Sequence, residues 1–488
     1  MNASGKVGVL VLCLFGLPFA CFGLFAFSQA IRLAQGGPGN QPFWYPLIFG
    51  LVFAGVGFGV IFAAVYGGKL LQRQQRLQAE HPAEPWLWRE DWAQGRVNSK
   101  TRSSMFSSLI FAVFWNLISM PVAFLALPQA VKQKGPIAYL VLIFPAIGVV
   151  LLIYAIRRTI AFFEFGNTCF EMASVPGVVG LELKGQIQAR FPHSPDHGIH
   201  LRLSCVHRVT AGSGDSQSTS ETIVWRDETD LSSWQLYPGP TGTTIPVAFH
   251  IPLDAQPSEK RNARDQFVWI LEALADVPGV DYHDIFEVPV FRTAQTPTQA
   301  EAEKFAAHDP AKAVTRPDRL TVKMRVTAAG TEFYFPAARN KNFAASTTVF
   351  GLIFSSITYF LIHHAPIIFP LAFGFFSFLL LYITVQLWLG TTRVVIGGGG
   401  LTVQAGLLGG GKVRPIAFSE IASISDKITA QQGGSTGIPY YDIELTLRDG
   451  KTVTLGRGLR DKHEAAWLVD EMRQLVGVQT KRFAAGTV

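Results

Sequence analysis

Residues Ile367–Leu389 read IIFPLAFGFFSFLLLYITVQLWL, and Gly390-Thr391-Thr392-Arg393-Val394-Val395-Ile396 follows without a break. The first stretch carries no charge. At about 1.5 Å per residue it reaches roughly 30 Å as a helix, the thickness of a bilayer's hydrocarbon core. The second is a short strand-like run. Working outward, five more charge-free stretches of similar length stand at Val7–Gln29, Phe43–Tyr66, Met105–Leu127, Pro136–Ile156 and Phe343–Ile362. Together they predict six transmembrane helices.

Composition agrees. The chain has 488 residues, 49% of them hydrophobic and 16% charged, against about 25% charged in a typical soluble domain. Its mean hydropathy is +0.26. Disorder, a collagen-like fibre and a disulfide scaffold are all excluded by this balance. The four cysteines, Cys13, Cys21, Cys169 and Cys205, form no C-x-x-C site and no pairing framework. Although Ala26-Phe27-Ser28 resembles a cleavage site, the first apolar run exceeds the 7–15 residues or so of a signal peptide, and only Lys6 precedes it. It reads as a retained helix.

Sidedness follows from lysine and arginine. The loop between the second and third segments carries Lys69, Arg73, Arg76, Arg89, Arg96, Lys100 and Arg102. Arg157-Arg158, Arg339, Lys341 and Arg393 fall on the same side, whereas the opposite loops hold only Arg32, Lys132 and Lys134. The positive-inside rule then puts both termini and both large soluble regions in the cytoplasm, where cysteines stay reduced. The net charge of +7 gathers near the membrane, where anionic headgroups attract it. No basic helix or aromatic-plus-basic strand motif indicates nucleic-acid binding.

Between the fourth and fifth segments the period becomes two. Leu201, Leu203 and Cys205 alternate with polar residues, as do Ile245, Val247, Phe249 and Ile251, and Leu320, Val322, Met324 and Val326. Further runs at Val179–Phe191, Thr222–Trp225, Phe267–Leu274 and Phe286–Phe291 are separated by turn-rich pieces such as residues 211–215 and 238–242. Many short half-buried strands predict a two-sheet antiparallel sandwich. Ile245-Pro246-Val247-Ala248-Phe249-His250-Ile251-Pro252, then Phe267-Val268-Trp269-Ile270-Leu271, then Pro278-Gly279-Val280-Asp281-Tyr282 and Phe286-Glu287-Val288-Pro289-Val290-Phe291 resemble an arrestin-like β-sandwich. The resemblance implies a protein-binding adaptor. One sandwich fits here, where many members of that family have two. Thr296–Val314 reads as a helical or flexible connector.

After the last membrane segment come runs at Thr392–Ile396, Leu401–Gln404, Lys412–Ile416, Ile421–Ile428, Tyr441–Leu447 and Thr452–Leu455. Asp449-Gly450 signals a type I′ hairpin. A helix is predicted from Asp461, with Glu464 closing a capping box and Ala465, Leu468, Met472, Leu475 and Val476 on its apolar face. This region, above all Leu401–Ile424, resembles the bacterial pleckstrin-homology-like domains. That likeness implies binding or assembly and carries no catalytic residues.

The expected architecture is therefore an α-helical membrane protein of six helices with an all-β sandwich and a small β-rich domain closed by a C-terminal helix. Its parts are a hairpin at 1–68, a basic Trp-rich loop at 69–104, a hairpin at 105–158, the sandwich at 159–295 (to about 340), a connector at 296–318, a hairpin at 343–390 and the pleckstrin-homology-like domain at 391–480.

Among short motifs, Glu84-Pro85-Trp86-Leu87-Trp88-Arg89-Glu90-Asp91-Trp92 is the most distinctive. Trp86, Trp88, Trp92 and Arg89 are candidate partner or lipid contacts. The competing reading is an interfacial aromatic belt or packing on the neighbouring soluble domain. His193, His197, His200, Cys205 and His207 invite a metal hypothesis, but His200 and Cys205 alternate onto opposite strand faces, so no metal site is expected. His363-His364 reads as a turn rather than a proton relay. Gly397–Gly400 and Gly409–Lys412 lack the G-x-x-x-x-G-K-[ST] pattern and read as hairpin turns. No site for nucleophilic catalysis is expected, and Glu90-Asp91 and Asp227-Glu228 read as solvated charge.

No enzyme and no cofactor is expected. The expectation is a multi-pass protein of the bacterial inner membrane, acting as a scaffold or adaptor for an unknown membrane or cytoplasmic protein. Its partners are that protein and the lipid bilayer, with no nucleic acid. The alternative is a transporter or channel component; the span interiors hold only Asn116 and Gln386 as larger polar groups, which weighs against it.

Overall fold

The structure is a computed structural model. It describes residues 3–37, 43–134, 139, 142–191, 195, 198–211, 218–239, 242–262, 264–299, 301, 316–317, 320–364 and 366–477. The expected turns over residues 212–215 and 240–241, the histidines His193 and His197, and residues 302–314 of the expected connector lie outside these.

Among the described residues six helices are long and apolar enough to cross a membrane, which fits a membrane protein. They are α1 (Ala3–Ala34), α2 (Trp44–Glu80), α4 (Thr101–Lys134), α5 (Ile143–Phe165), α6 (Lys341–His364) and α7 (Ile368–Leu389). Between α2 and α4 lie a 3-10 turn at Pro85–Trp88 and the short helix α3 (Glu90–Ala93). By contact the chain forms two units, one of Met1–Leu203, Glu228–Ile251 and Trp269–Thr296, the other of Ser204–Asp227, Pro252–Val268 and Pro297–Val488.

In the first unit, α1 and α2 pack through small residues. A methyl group on Gly23 would lie 2.1 Å from the Ala54 nitrogen, and one on Gly57 would lie 2.2 Å from that of Ala20. Such an approach is how helices gain contact where lipid supplies no hydrophobic drive. α4 and α5 are tied by Asn116, whose amide donates to the Gly148 carbonyl at 2.9 Å, and by Trp115, which donates to the Phe144 carbonyl.

The strands before α6 are β1 (Arg96–Asn98), β2 (Cys169–Met172), β3 (Gly177–Val178), β4 (Glu182–Ala189), β5 (Ile199–Ala211), β6 (Ser218–Leu231), β7 (Tyr237–Gly239), β8 (Gly242–His250), β9 (Lys260–Asn262), β10 (Asp265–Ala275), β11 (Tyr282–Val288) and β12 (Val290–Phe291). One sheet runs β1-β2-β4-β8-β7; another runs β11-β10-β5-β6 with β9 on β10; β3 and β12 form a parallel pair. Phe170, Leu183, Ile187, Ile245, Val247 and Phe249 are buried on the first sheet. Phe170 meets Phe286 of β11 with ring centres 6.2 Å apart. In β10 every residue from Phe267 to Ala273 is buried, so alternation is lost there because the strand is covered on both faces.

The second unit holds β13 (Lys323–Thr327), β14 (Gly330–Phe335), β15 (Gly390–Gly397), β16 (Gly400–Leu407), β17 (Val413–Ala417), β18 (Ile421–Gln432), β19 (Ile438–Leu447), β20 (Thr452–Leu459) and the helix α8 (Lys462–Val476). β13 to β17 form one sheet in sequence order and β18 to β20 another. Phe333, Phe335, Val394, Leu401, Ile443, Leu455, Leu468 and Met472 share one core.

Three expectations are corrected here. Leu320, Val322, Met324 and Val326 do not belong to the middle region: β13 pairs with β14, and β14 pairs with β15 from Thr331↔Ile396 to Phe335↔Thr392. The C-terminal domain therefore begins before α6, not at 391, and the α6–α7 hairpin is inserted between two adjacent strands. Glu464 does not close a capping box. Its buried carboxylate accepts from the backbone N–H groups of Thr321 at 2.6 Å and Val322 at 3.1 Å, while Asp461 alone caps the helix. The Asp449-Gly450 turn is not type I′, because only Gly450 takes positive φ; the Leu447 N–H donates to the Lys451 carbonyl across a three-residue loop.

Candidate functional site

Helix α2 continues past its apolar stretch to Glu80, and the indole of Trp88 donates to the His81 carbonyl at 2.7 Å, fixing the turn that follows. This delivers the Trp-rich segment onto the end of β11. Trp92 donates its indole N–H to the Glu287 carbonyl at 2.8 Å. The rings of Trp86 and Trp92 stand 5.4 and 6.3 Å from that of Phe291. Trp86, Trp88, Trp92 and Arg89 are all half-buried. The three indoles thus serve packing within the chain, and part of each surface stays accessible.

Arg89 is the electrostatic centre of this contact. Its guanidinium grips Asp91 with two nitrogens, at 3.1 and 2.7 Å, and donates to Glu287 Oε1 at 2.6 Å. It also lies 4.2 Å from the centre of the Trp92 ring, a cation–π distance. Burial works to lower its pKa, but hydrogen bonding to Asp91 and the charges of Glu287 and Asp91 overcome this and raise it. Lys100 takes the other Glu287 oxygen at 2.8 Å. Below lies a cleft of about 920 Å³, lined by Arg73, Trp88, Arg89, Arg96, Asn98 and Cys169 among others. Arg73 pairs with Glu90 and Arg96 with Glu171.

Three residues earlier on β11, the buried carboxylate of Asp284 accepts hydrogen bonds from the hydroxyls of Ser99, Thr101 and Thr168. Thr101 opens α4, so this cluster pins the start of a membrane helix to β11. Burial pushes the neighbouring Tyr282 phenol well above its ordinary pKa.

Sequence reasoning missed Asp284, Glu287 and Phe291. For Asp284 a signal existed: Tyr282, Asp284, Phe286 and Val288 occupy the buried positions of an alternating strand, and an acid in such a row needs donors.

The other sequence candidates resolve separately. His200 pairs with Asp230 and lies 3.4 Å from Glu228. His207 bonds Asp265 at 2.8 Å. Cys205 is buried, and burial pushes its thiol up to about 12. Among the described residues no group of three or more His, Cys, Asp or Glu could hold a metal. His363 bonds the Tyr359 carbonyl one turn back; the His364 side chain lies outside the described residues. Gly398 and Gly399 both take positive φ in the β15–β16 turn, and Gly409–Gly411 turns β16 into β17.

A second polar surface lies on the C-terminal sheet. Cross-strand register sets Lys323 opposite Tyr334, Tyr334 opposite Arg393, and Arg393 opposite Gln404. With Arg325, Glu332 and Thr391 they line a cleft of about 310 Å³. Arg393 donates to Glu332 at 2.7 Å, so three basic groups there meet one acid.

No protein-family model matches the chain, and no curated protein matches it. Among solved structures, the chain is similar to the crystal structure of Spo0M, a sporulation control protein from Bacillus subtilis, with a TM-score of 0.19 and 10% identity over 51% of this chain and 88% of that one. A likeness at that score carries no argument about this chain.

Proposed function

We propose that this protein is a membrane-anchored scaffold or adaptor that recruits protein partners through two cytoplasmic β modules. The observation that carries this reading is the insertion of α6–α7 between the adjacent strands β14 and β15. A module held by two neighbouring strands, one running directly from a membrane helix and the other joined to one by a short turn, presents its outer sheet face at a fixed height and tilt. A flexible tether would not do this. That face bears the Lys323, Arg325 and Arg393 surface, which suits an acidic partner.

In this reading the middle sheets form an arrestin-like sandwich and the C-terminal module is pleckstrin-homology-like. Alternation and the strand motifs support the first, and eight strands around one core with a closing helix support the second. The membrane is the bacterial inner membrane with both termini cytoplasmic, an assignment that rests on basic-residue asymmetry. The accessible parts of Trp86, Trp88, Trp92 and Arg89 offer a further contact for partner or lipid. Transport is the weaker reading, because Asn116 spends its amide on Ala112 and Gly148 carbonyls.

A photo-crosslinking residue at Gln404, which lines that surface beside Arg393, tests this in native membranes. A discrete protein adduct that is lost in Arg325→Glu/Arg393→Glu supports the scaffold. Solute or ion flux through the purified protein in liposomes, with no adduct, contradicts it.

A further inference from the structure

At the foot of the α6–α7 hairpin is a cleft of about 470 Å³ that the scaffold reading does not use. Arg339, Asn340, Tyr382, Gln386, Arg457 and Thr391 supply its polar wall; Ile383 and Leu387 supply an apolar one. Its height relative to the bilayer is fixed by the chain. Arg339 and Asn340 immediately precede α6, while Tyr382 and Gln386 lie in the last two turns of α7. The Leu408 N–H, at the tip of the β16–β17 turn, donates to the carbonyl of Leu389, the last residue of α7. Leu408 is 72% exposed, as an apolar tip level with a helix end would be if it dipped into lipid. The cleft is therefore at headgroup depth.

Among the described residues two arginines and no carboxylate line it, while the charges of Asp442 and Glu464 also act on Arg339. Arg339 Nη2 donates to the Arg457 carbonyl at 2.6 Å, but Nη1 is buried with no hydrogen-bond partner among the described residues. Asn340 is held to the Gly458 carbonyl at 2.8 Å, and Ala338 takes a left-handed φ of 53°, so the turn that presents Arg339 is fixed by β20. Burial lowers the Arg339 pKa to about 10, which leaves the group charged at neutral pH. A buried guanidinium nitrogen without an acceptor is costly, and a phosphate oxygen is its best match.

We propose that this cleft seats the phosphate of an anionic glycerophospholipid, with the Arg339 guanidinium as the main donor, its side chain turning to bring the covered Nη1 to the phosphate, Tyr382 and Gln386 beside it, Arg457 at the mouth, and the lipid's glycerol and chains along Ile383 and Leu387. The site is a property of the anchored module and does not depend on any protein partner.

The test is native mass spectrometry and thermal unfolding of the full-length protein in detergent, with phosphatidylglycerol, phosphatidylcholine or inorganic phosphate added. Wild type should retain phosphatidylglycerol over phosphatidylcholine and be stabilised by it. Arg339→Gln should lose this preference by about tenfold, the effect of one charge-assisted bond. Arg457→Gln, at an exposed side chain, should weaken it without harming the fold, and Arg339→Lys should restore part. Equal retention of both lipids by wild type, or unchanged preference in Arg339→Gln, would overturn the proposal. If Arg339→Gln does not fold, unchanged preference in both Arg457→Gln and Tyr382→Phe overturns it. Stabilisation by inorganic phosphate equal to that by phosphatidylglycerol would overturn the lipid assignment in favour of a free anion.

Discussion

Arg89 and Glu287 are joined side chain to side chain at 2.6 Å, an ion pair at the centre of the contact that the α2–α4 loop makes with β11. Glu287 is 15% exposed and Arg89 34%, so the pair is screened less than a surface ion pair. In a double-mutant cycle, Arg89→Ala and Glu287→Ala should couple by about 1–3 kcal/mol in chemical unfolding of the detergent-solubilised protein. Additive effects would mean that Trp86, Trp92 and Phe291 hold the contact unaided.

Asp284 is expected to be the more sensitive position. Its carboxylate accepts from three hydroxyls, and an amide offers one accepting oxygen in place of two, so that at least one hydroxyl must give up its bond and turn to accept from the N–H instead. Asp284→Asn should cost about 2–4 kcal/mol. The loss should appear first as protease cleavage near Ser99 and Lys100, because the start of α4 is what the cluster holds.

His200 gives the fold a pH dependence. Hydrogen bonding to Glu228, opposed by burial and reinforced by Asp230, raises its pKa above the ordinary value. A raised folded-state pKa means the stabilisation is complete below the unfolded value of about 6.5 and fades as pH rises through the folded one. Wild type should therefore lose stability relative to His200→Gln above about pH 6.5, by no more than about 1 kcal/mol because the site is partly solvated. Unfolding midpoints of the two proteins compared from pH 5.5 to about 8.5 check this; a constant difference would contradict it.

Because Phe335 and Thr392 are paired neighbours, the membrane hairpin occupies the place of a β-turn. Replacing residues 337–390 with a short turn should release residues 320–477 as a soluble, cooperatively folding module. Residues 391–480 alone should aggregate, lacking β13, β14 and the Thr321–Val322 segment that Glu464 holds. In the joined module Glu464→Gln should cost about 1–3 kcal/mol by thermal unfolding. A stable, monomeric 391–480 fragment would contradict the assignment of β13 and β14.

What could be read from the chain divides by the range of the physics. A long charge-free run has one habitat, so the six helices were legible. Strands with one wet face keep their alternation, so β8 and β15 to β20 were legible too, whereas the run expected at Phe286–Phe291 meets only the end of β11 and β12. The partnership of β13 and β14 with β15 was not. It joins segments on either side of a membrane hairpin, and no local period encodes it. The same holds at the candidate site: three indoles in nine residues announced a contact, but their acceptor at Glu287 lies 195 residues from Trp92. Arg339 was counted only as one loop charge, because its missing partner is visible only in three dimensions.

The account rests on both β modules standing at the inner face of one membrane. Single cysteines at Trp234 and Val326, 81% and 89% exposed, one in each unit, measure this with an impermeant maleimide. Labelling in inside-out vesicles but not in intact cells is the expected result for both; labelling of either from outside intact cells would contradict it.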